Sequence, residues 1–100
     1  MNVKQFARGT VVKVEAEIKR KPPFQTESYY DPSAGVKVTI THVESGDTAV
    51  STTSMTKHDT GKYFYYWQTD SNDRYGQYKI EILADDTYDA VRREILVELV

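Results

Sequence analysis

No cysteine occurs anywhere in the 100 residues. Disulfides therefore cannot hold the chain together, and thiol nucleophiles and thiolate metal sites are excluded. Histidine is also scarce. His42 and His58 stand alone, outside any His-x3-His or His-Glu-x-x-His spacing, so a zinc site lacks its ligands. No stretch approaches about 18 consecutive apolar residues, the minimum for a membrane-spanning helix. The opening Met1-Asn2-Val3-Lys4-Gln5-Phe6 has no apolar core of signal-peptide length. Positive charge is not in excess: 13 Lys and Arg face 15 Asp and Glu, for a net charge of -2. A nucleic-acid module normally carries a basic footprint, and the short runs Lys19-Arg20-Lys21 and Arg92-Arg93 read as solvated strand ends. Glycine-rich phosphate loops, P-loops and Gly-x-Ser-x-Gly elbows are all missing.

What the chain does have is β-forming residues. Eight Tyr and one Trp, with many Val, Ile and Thr, favour strands over helices. The length suits one domain, residues 1–100. Val12, Val14, Ala16 and Ile18 alternate with Lys13, Glu15, Glu17 and Lys19, the period of a half-buried strand. Val36, Val38 and Ile40 repeat the pattern, as do Tyr78, Ile80, Ile82 and Ala84, and Ile95, Val97 and Leu99. Lys62 to Gln68 is an aromatic strand, and Thr48 to Met55 a weaker one rich in β-branched residues. Turns are expected at Glu44–Asp47, Lys57–Gly61, Asp70–Asp73 and Asp85–Asp89. Six strands result, with a seventh short one near Gln5–Gly9, within an N-terminal arm (1–9). A long loop (20–34) carries Pro22, Pro23, Phe24, Tyr29, Tyr30 and Asp31-Pro32. Loops of that length in compact domains often carry function. The expectation is an all-β, antiparallel sandwich.

Catalytic and metal chemistry find little support. Asp70-Ser71-Asn72-Asp73 opens like a calcium loop, but Arg74 and Tyr75 stand where a ligand and a glycine are needed. Strand reversal would gather Asp31, Asp59, Asp85, Asp86 and Asp89 at one end of the sandwich, and Glu44, Asp47, Asp70 and Asp73 at the other. A cation between strands is one reading of the first group; the favoured one is that aspartate is a good turn residue. Glu15 and Glu17 share an outward face with no sign of a cleft, so they do not read as a paired acid and base. No catalytic, cofactor-binding or metal residue is assigned, and the chain is expected not to be an enzyme.

Asp59-x-Gly61-x-Tyr63 resembles the immunoglobulin superfamily, in which that pattern forms a tyrosine corner before a central strand. Tyr65 stands where the family usually has cysteine. Gly61-x-Tyr63-x-Tyr65-x-Trp67, followed by Gly76-x-Tyr78-x-Ile80-x-Ile82, is more similar to the Ig-like domains of bacteria, archaea and phages, with a macroglobulin or invasin-like pattern. Arg8-Gly9-Thr10-Val11-Val12 looks like that group's first strand. The resemblance implies an immunoglobulin-like sandwich with Tyr63, Tyr65 and Trp67 pointing inward. Lone modules of this kind occur in tailed-phage virion proteins as head, head–tail or tail accessories, and others are spacers in secreted adhesins. The first implies a virion protein, cytoplasmic before assembly. The second implies an extracellular adhesin or carbohydrate-binding module, excised from a longer chain.

If Tyr63, Tyr65 and Trp67 point inward, Phe64 and Tyr66 point outward. The same register turns Leu83, Leu96 and Val100 outward. Were their strands neighbours, these five would form one apolar patch, which monomers seldom leave exposed. Two readings stay open: a cover by Val3 and Phe6 or by Phe24, or an interface with other protein subunits in a homo- or hetero-oligomer. Phe24, Tyr29 and Tyr30 in the long loop are a second candidate contact, either an arm docking on a neighbour or a loop folding back on its own sandwich. Nucleic acid and membrane are not expected partners, and no cofactor is expected.

Overall fold

Alternating apolar side chains give five of the strands a single inward face. The computed structural model, which describes residues 3–20, 26, 28–85 and 90–100, packs those faces against one another in two sheets. The strands are β1 (Lys4–Phe6), β2 (Val11–Glu17), β3 (Lys19–Arg20), β4 (Ser28–Tyr29), β5 (Val36–His42), β6 (Thr48–Ser54), β7 (Thr56–Asp59), β8 (Lys62–Gln68), β9 (Gly76–Asp85) and β10 (Ala90–Leu99). The larger sheet runs β1-β10-β9-β5-β6 and the smaller β2-β8-β7, while β3 and β4 form a two-stranded ribbon. Among the described residues there is no helix, and every pairing is antiparallel except β1 with β10. The protein is an all-β sandwich.

The core is what the alternation dictates. Val12, Val14, Ala16, Tyr63 and Trp67 come from the small sheet and meet Val36, Val38, Ile40, Tyr78, Ile80, Ile82, Val97 and Leu99 from the large one. Each fully buried aliphatic side chain contributes about 1.5–3 kcal/mol. With no disulfide, this packing carries the stability. Trp67 is buried and meets the Tyr78 ring edge-on at 5.2 Å, a contact between the two sheets. Tyr65 is only partly buried and packs against the margin of the core.

Several sequence expectations change. Lys57–Gly61 is not one long turn: Thr56–Asp59 is strand β7, and only Thr60 and Gly61 turn the chain into β8. All four β7 residues are exposed, so no apolar alternation marks the strand. Gly61 takes φ +71°, which the tight turn demands. The chain passes from β6 in the large sheet to β7 in the small one through Met55 alone, a buried residue whose N–H donates to Val36 O at 2.8 Å. The N-terminal arm is strand β1, pairing Lys4 with Val97 and Phe6 with Leu99 in parallel. The long connection is not wholly loop, because β3 pairs with β4. The expected turn at Asp85–Asp89 lies mostly outside the described residues.

The corner expected at Tyr63 does not form there. Tyr63 sits just after a hairpin within one sheet, and its hydroxyl donates to the Asp31 carboxylate at 3.0 Å. The geometry expected of it occurs at Tyr78, whose hydroxyl donates to the Arg74 carbonyl at 2.9 Å, where the chain crosses from β8 to β9. Beside it His42 is buried: its Nδ1 accepts the Ser45 N–H at 3.1 Å, so Nε2 carries the proton and donates to Tyr75 O at 3.0 Å.

Candidate functional site

The outer face of the small sheet carries the two aromatics that alternation turns away from the core. Phe64 and Tyr66 on β8 meet edge-to-face, ring centroids 5.2 Å apart. Lys13, paired with Tyr66 across β2, places its ammonium 5.7 Å from the Phe64 ring and 5.9 Å from the Tyr66 ring. His58 on β7 approaches Phe64 from the other side at 6.3 Å. Phe64 is half-buried by these neighbours, while Tyr66 is 56% exposed.

Leu83, Leu96 and Val100 do not join this face. Their strand register belongs to the large sheet, whose outer surface points away from the opposite side of the sandwich. There Leu83 stands opposite Arg92 and Leu96 opposite Lys79. Ion pairs of Lys79 with Glu81 and Glu94, and of Arg92 with Glu81, run between them. Val100 is tied by its backbone to Phe6 and Arg8. The single five-residue patch is therefore replaced by a compact aromatic face on one sheet and isolated leucines among charges on the other. Alternation alone says which side of its own sheet a residue takes; it does not say which strands share that sheet.

Within the long connection, Ser28 to Asp31 folds back on the chain's own sandwich. Tyr29 lies between the ammonium groups of Lys19 and Lys62, 5.0 and 4.9 Å from its ring centroid. Tyr30 N–H donates to Ile18 O at 3.1 Å, and Ile18 N–H to Gly61 O at 2.7 Å. Phe24, with Pro22 and Pro23, lies outside the described residues.

Asp31 ties this strap to the β7–β8 turn. Its Oδ1 accepts Gly61 N–H at 2.8 Å and the Tyr63 hydroxyl at 3.0 Å, and Oδ2 meets Lys57 Nζ at 2.6 Å. The hydrogen bond from Lys57, then that from Gly61 N–H, hold the carboxyl below the usual aspartate range. Burial, then the hydrogen bond to Asp31, push the Tyr63 phenol up to about 12. Both shifts lock the pair as carboxylate and neutral phenol at neutral pH, which suits a structural clamp and not proton transfer. The Asp31–Gly61 bond brings Asp31 to the turn that follows Asp59, the end of the sandwich expected for both. Asp59, exposed at the end of β7, instead accepts the N–H of its neighbour Thr60 at 2.8 Å. No group of three or more potential metal ligands forms among the described residues.

One feature escaped the sequence. A cleft of about 290 Å³ opens between β2 and β10, lined by Ala16, Ile18, Ile82, Ala84 and Ile95, with Glu15, Glu17, Lys19 and Arg93 at its rim. Two alanines at inward positions of facing sheets were the available signal, since each leaves unfilled space where Val or Ile would not.

Comparison with protein-family models, with curated proteins and with solved structures finds no match for this chain.

Proposed function

We propose that the chain is an immunoglobulin-like module that works by binding other protein subunits, without catalysis, as an attachment part of a larger assembly. Strand order supports the fold assignment. Labelled B, C, C′, D, E, F and G in chain order, the seven strands of four or more residues divide into B-E-D and C′-C-F-G. That division is similar to the one of an immunoglobulin sandwich and supports this reading, with β1 standing for a shortened first strand. Tyr78 as corner tyrosine supports the same reading.

The observation that carries the binding role is the Phe64–Tyr66 face. A solvated sheet face normally presents polar side chains, whereas here two aromatics in edge-to-face contact stand outward with Tyr66 more than half exposed. Tyr and Phe are enriched in protein interfaces, and a flanking lysine such as Lys13 supplies a polar rim. The specific role proposed is a phage or phage-like virion accessory, on the strength of the motif resemblance. The exposed Tyr66 ring also favours a second reading, a secreted module that stacks on sugar rings.

Sedimentation over a range of concentrations tests the first reading. Self-association is expected in the unaltered chain and should be lost in the double variant Phe64→Ser, Tyr66→Ser. Association unchanged in a folded double variant would overturn the role of this face. Binding of a glycan array that vanishes in the same variant would favour the sugar reading.

A further inference from the structure

The cleft between β2 and β10 is bordered by two strand edges. On the large sheet β1 covers only Val97, Glu98 and Leu99, so among the described residues β10 has no partner on that side from Ala90 to Leu96. On the small sheet β2 is itself an edge strand. Ile95 records the gap. It shares the inward register with Val97 and Leu99, which are 5% and 1% exposed, yet it is itself 38% exposed. What separates it from them is the cover that β1 provides.

The backbone along this edge is aimed outward in a usable array. Val100 N–H donates to Phe6 O, and its carbonyl accepts from Arg8 N–H. Alternation along the strand then turns the N–H and C=O of Arg92 and Glu94 toward the same side. The β1–β10 register fixes the direction in which the ladder would continue. Lys4 stands opposite Val97, so a strand prolonging the line of β1 backward would run parallel to β10, placing inward side chains opposite Ile95 and Arg93. Among the described residues the unpartnered edge from Ala90 to Leu96 would take about 23 Å of extended chain.

We propose that this cleft accepts an extended segment of another protein chain, which adds a strand parallel to β10 and seats aliphatic side chains, at alternate positions, over Ala16, Ile82, Ala84 and Ile95. Strand addition of this kind draws affinity from main-chain hydrogen bonds and selectivity from the pockets that take alternate side chains. The volume, about 290 Å³, falls just short of the range for small-molecule sites, roughly 300–1,000 Å³, whereas a strand edge without a described partner adds donors and acceptors in a row. The rim carries both signs of charge, which disfavours a polyanion. The inference rests on reading the chain as a protein-binding module, but it uses a surface separate from Phe64 and Tyr66.

A displayed library of random linear peptides, selected on the intact chain, tests it. Enriched peptides should alternate aliphatic and polar residues. A synthetic copy of one should slow amide hydrogen exchange at Arg92 and Glu94 at least tenfold. Ile95→Asp should abolish binding, Ile95→Val should retain it, and the Phe64→Ser, Tyr66→Ser variant should bind as well as the unaltered chain. Failure to enrich any peptide, enriched peptides without alternation, or binding undiminished in a folded Ile95→Asp variant would overturn the proposal. Loss of binding only in the Phe64→Ser, Tyr66→Ser variant would also overturn it, while leaving the aromatic face intact as an interface.

Discussion

The Tyr78 hydroxyl donates to the carbonyl of Arg74, four residues upstream, and this bond braces the corner at which the chain leaves one sheet for the other. The ring is buried between Trp67 and His42, with centroids 5.2 and 4.9 Å away. Removing the hydroxyl separates the two contributions. Tyr78→Phe keeps the ring and loses one bond whose acceptor belongs to an exposed residue, so a cost of about 0.5–1.5 kcal/mol is expected. Tyr78→Ala, which empties the space as well, should cost about 3–5 kcal/mol, the range for large aromatics. Denaturant midpoints of the two variants check the difference.

Gly61 should be far less replaceable than other turn glycines. It has φ +71°, and a Cβ built there would lie 2.5 Å from Ile18 O and 2.8 Å from Tyr30 N, both backbone atoms. Gly35 has a similar φ of +83° with nothing within 4 Å. Gly35→Ala should therefore cost only the left-handed penalty, about 1–2 kcal/mol. Gly61→Ala adds displacement of the strap at Ile18 and Tyr30 and should cost clearly more. Chemical unfolding of the two variants side by side gives the comparison.

Stability should respond to pH at both extremes through one contact. Asp31 is held below its usual range by Lys57, then by Gly61 N–H, so its stabilising effect is present above the unfolded aspartate value of about 3.9. That effect drains away as pH falls through the lower folded value. Tyr63 is pushed up to about 12 by burial and by Asp31. Its contribution is complete below about 10, the unfolded tyrosine value, and is lost as pH rises toward the folded value. Melting temperature against pH should fall less steeply on the acid side in Asp31→Asn and on the alkaline side in Tyr63→Phe.

Ile40 is fully buried at the centre of β5. Ile40→Ala should cost about 2–5 kcal/mol and Ile40→Val about 0.5–1.5. A domain of this size has only about 5–15 kcal/mol in all, and no disulfide limits the unfolded chain. Ile40→Ala therefore removes a large share, measurable as a lower urea midpoint with an unchanged slope.

The strands with one apolar face were legible in the sequence because period two is a local property. Val12, Val14 and Ala16 announce β2 as plainly as Tyr78, Ile80 and Ile82 announce β9. β7 was not legible: Thr56 to Asp59 buries nothing and exists because β8 offers it a ladder. Gly61-x-Tyr63 and Gly76-x-Tyr78 are spelled alike, yet only the Tyr78 hydroxyl bonds back to the backbone a few residues upstream. The difference lies in whether the preceding strand joins the same sheet, which no short window contains. The same non-local fact divided Phe64 and Tyr66 from Leu83 and Leu96. It also hid the cleft, which exists only where the edges of two different sheets face each other.

The pairing of Lys4–Phe6 with Val97–Leu99 has a mechanical consequence. The first and last strands lie side by side and run in the same direction. Tension drawn between the two ends of the chain would pull β1 backward and β10 forward along their common axis. The bonds between them would then be loaded together, in shear, instead of parting one at a time. A module fastened in this way resists stretching at its outermost seam, and the sandwich behind that seam stays unstrained until it gives.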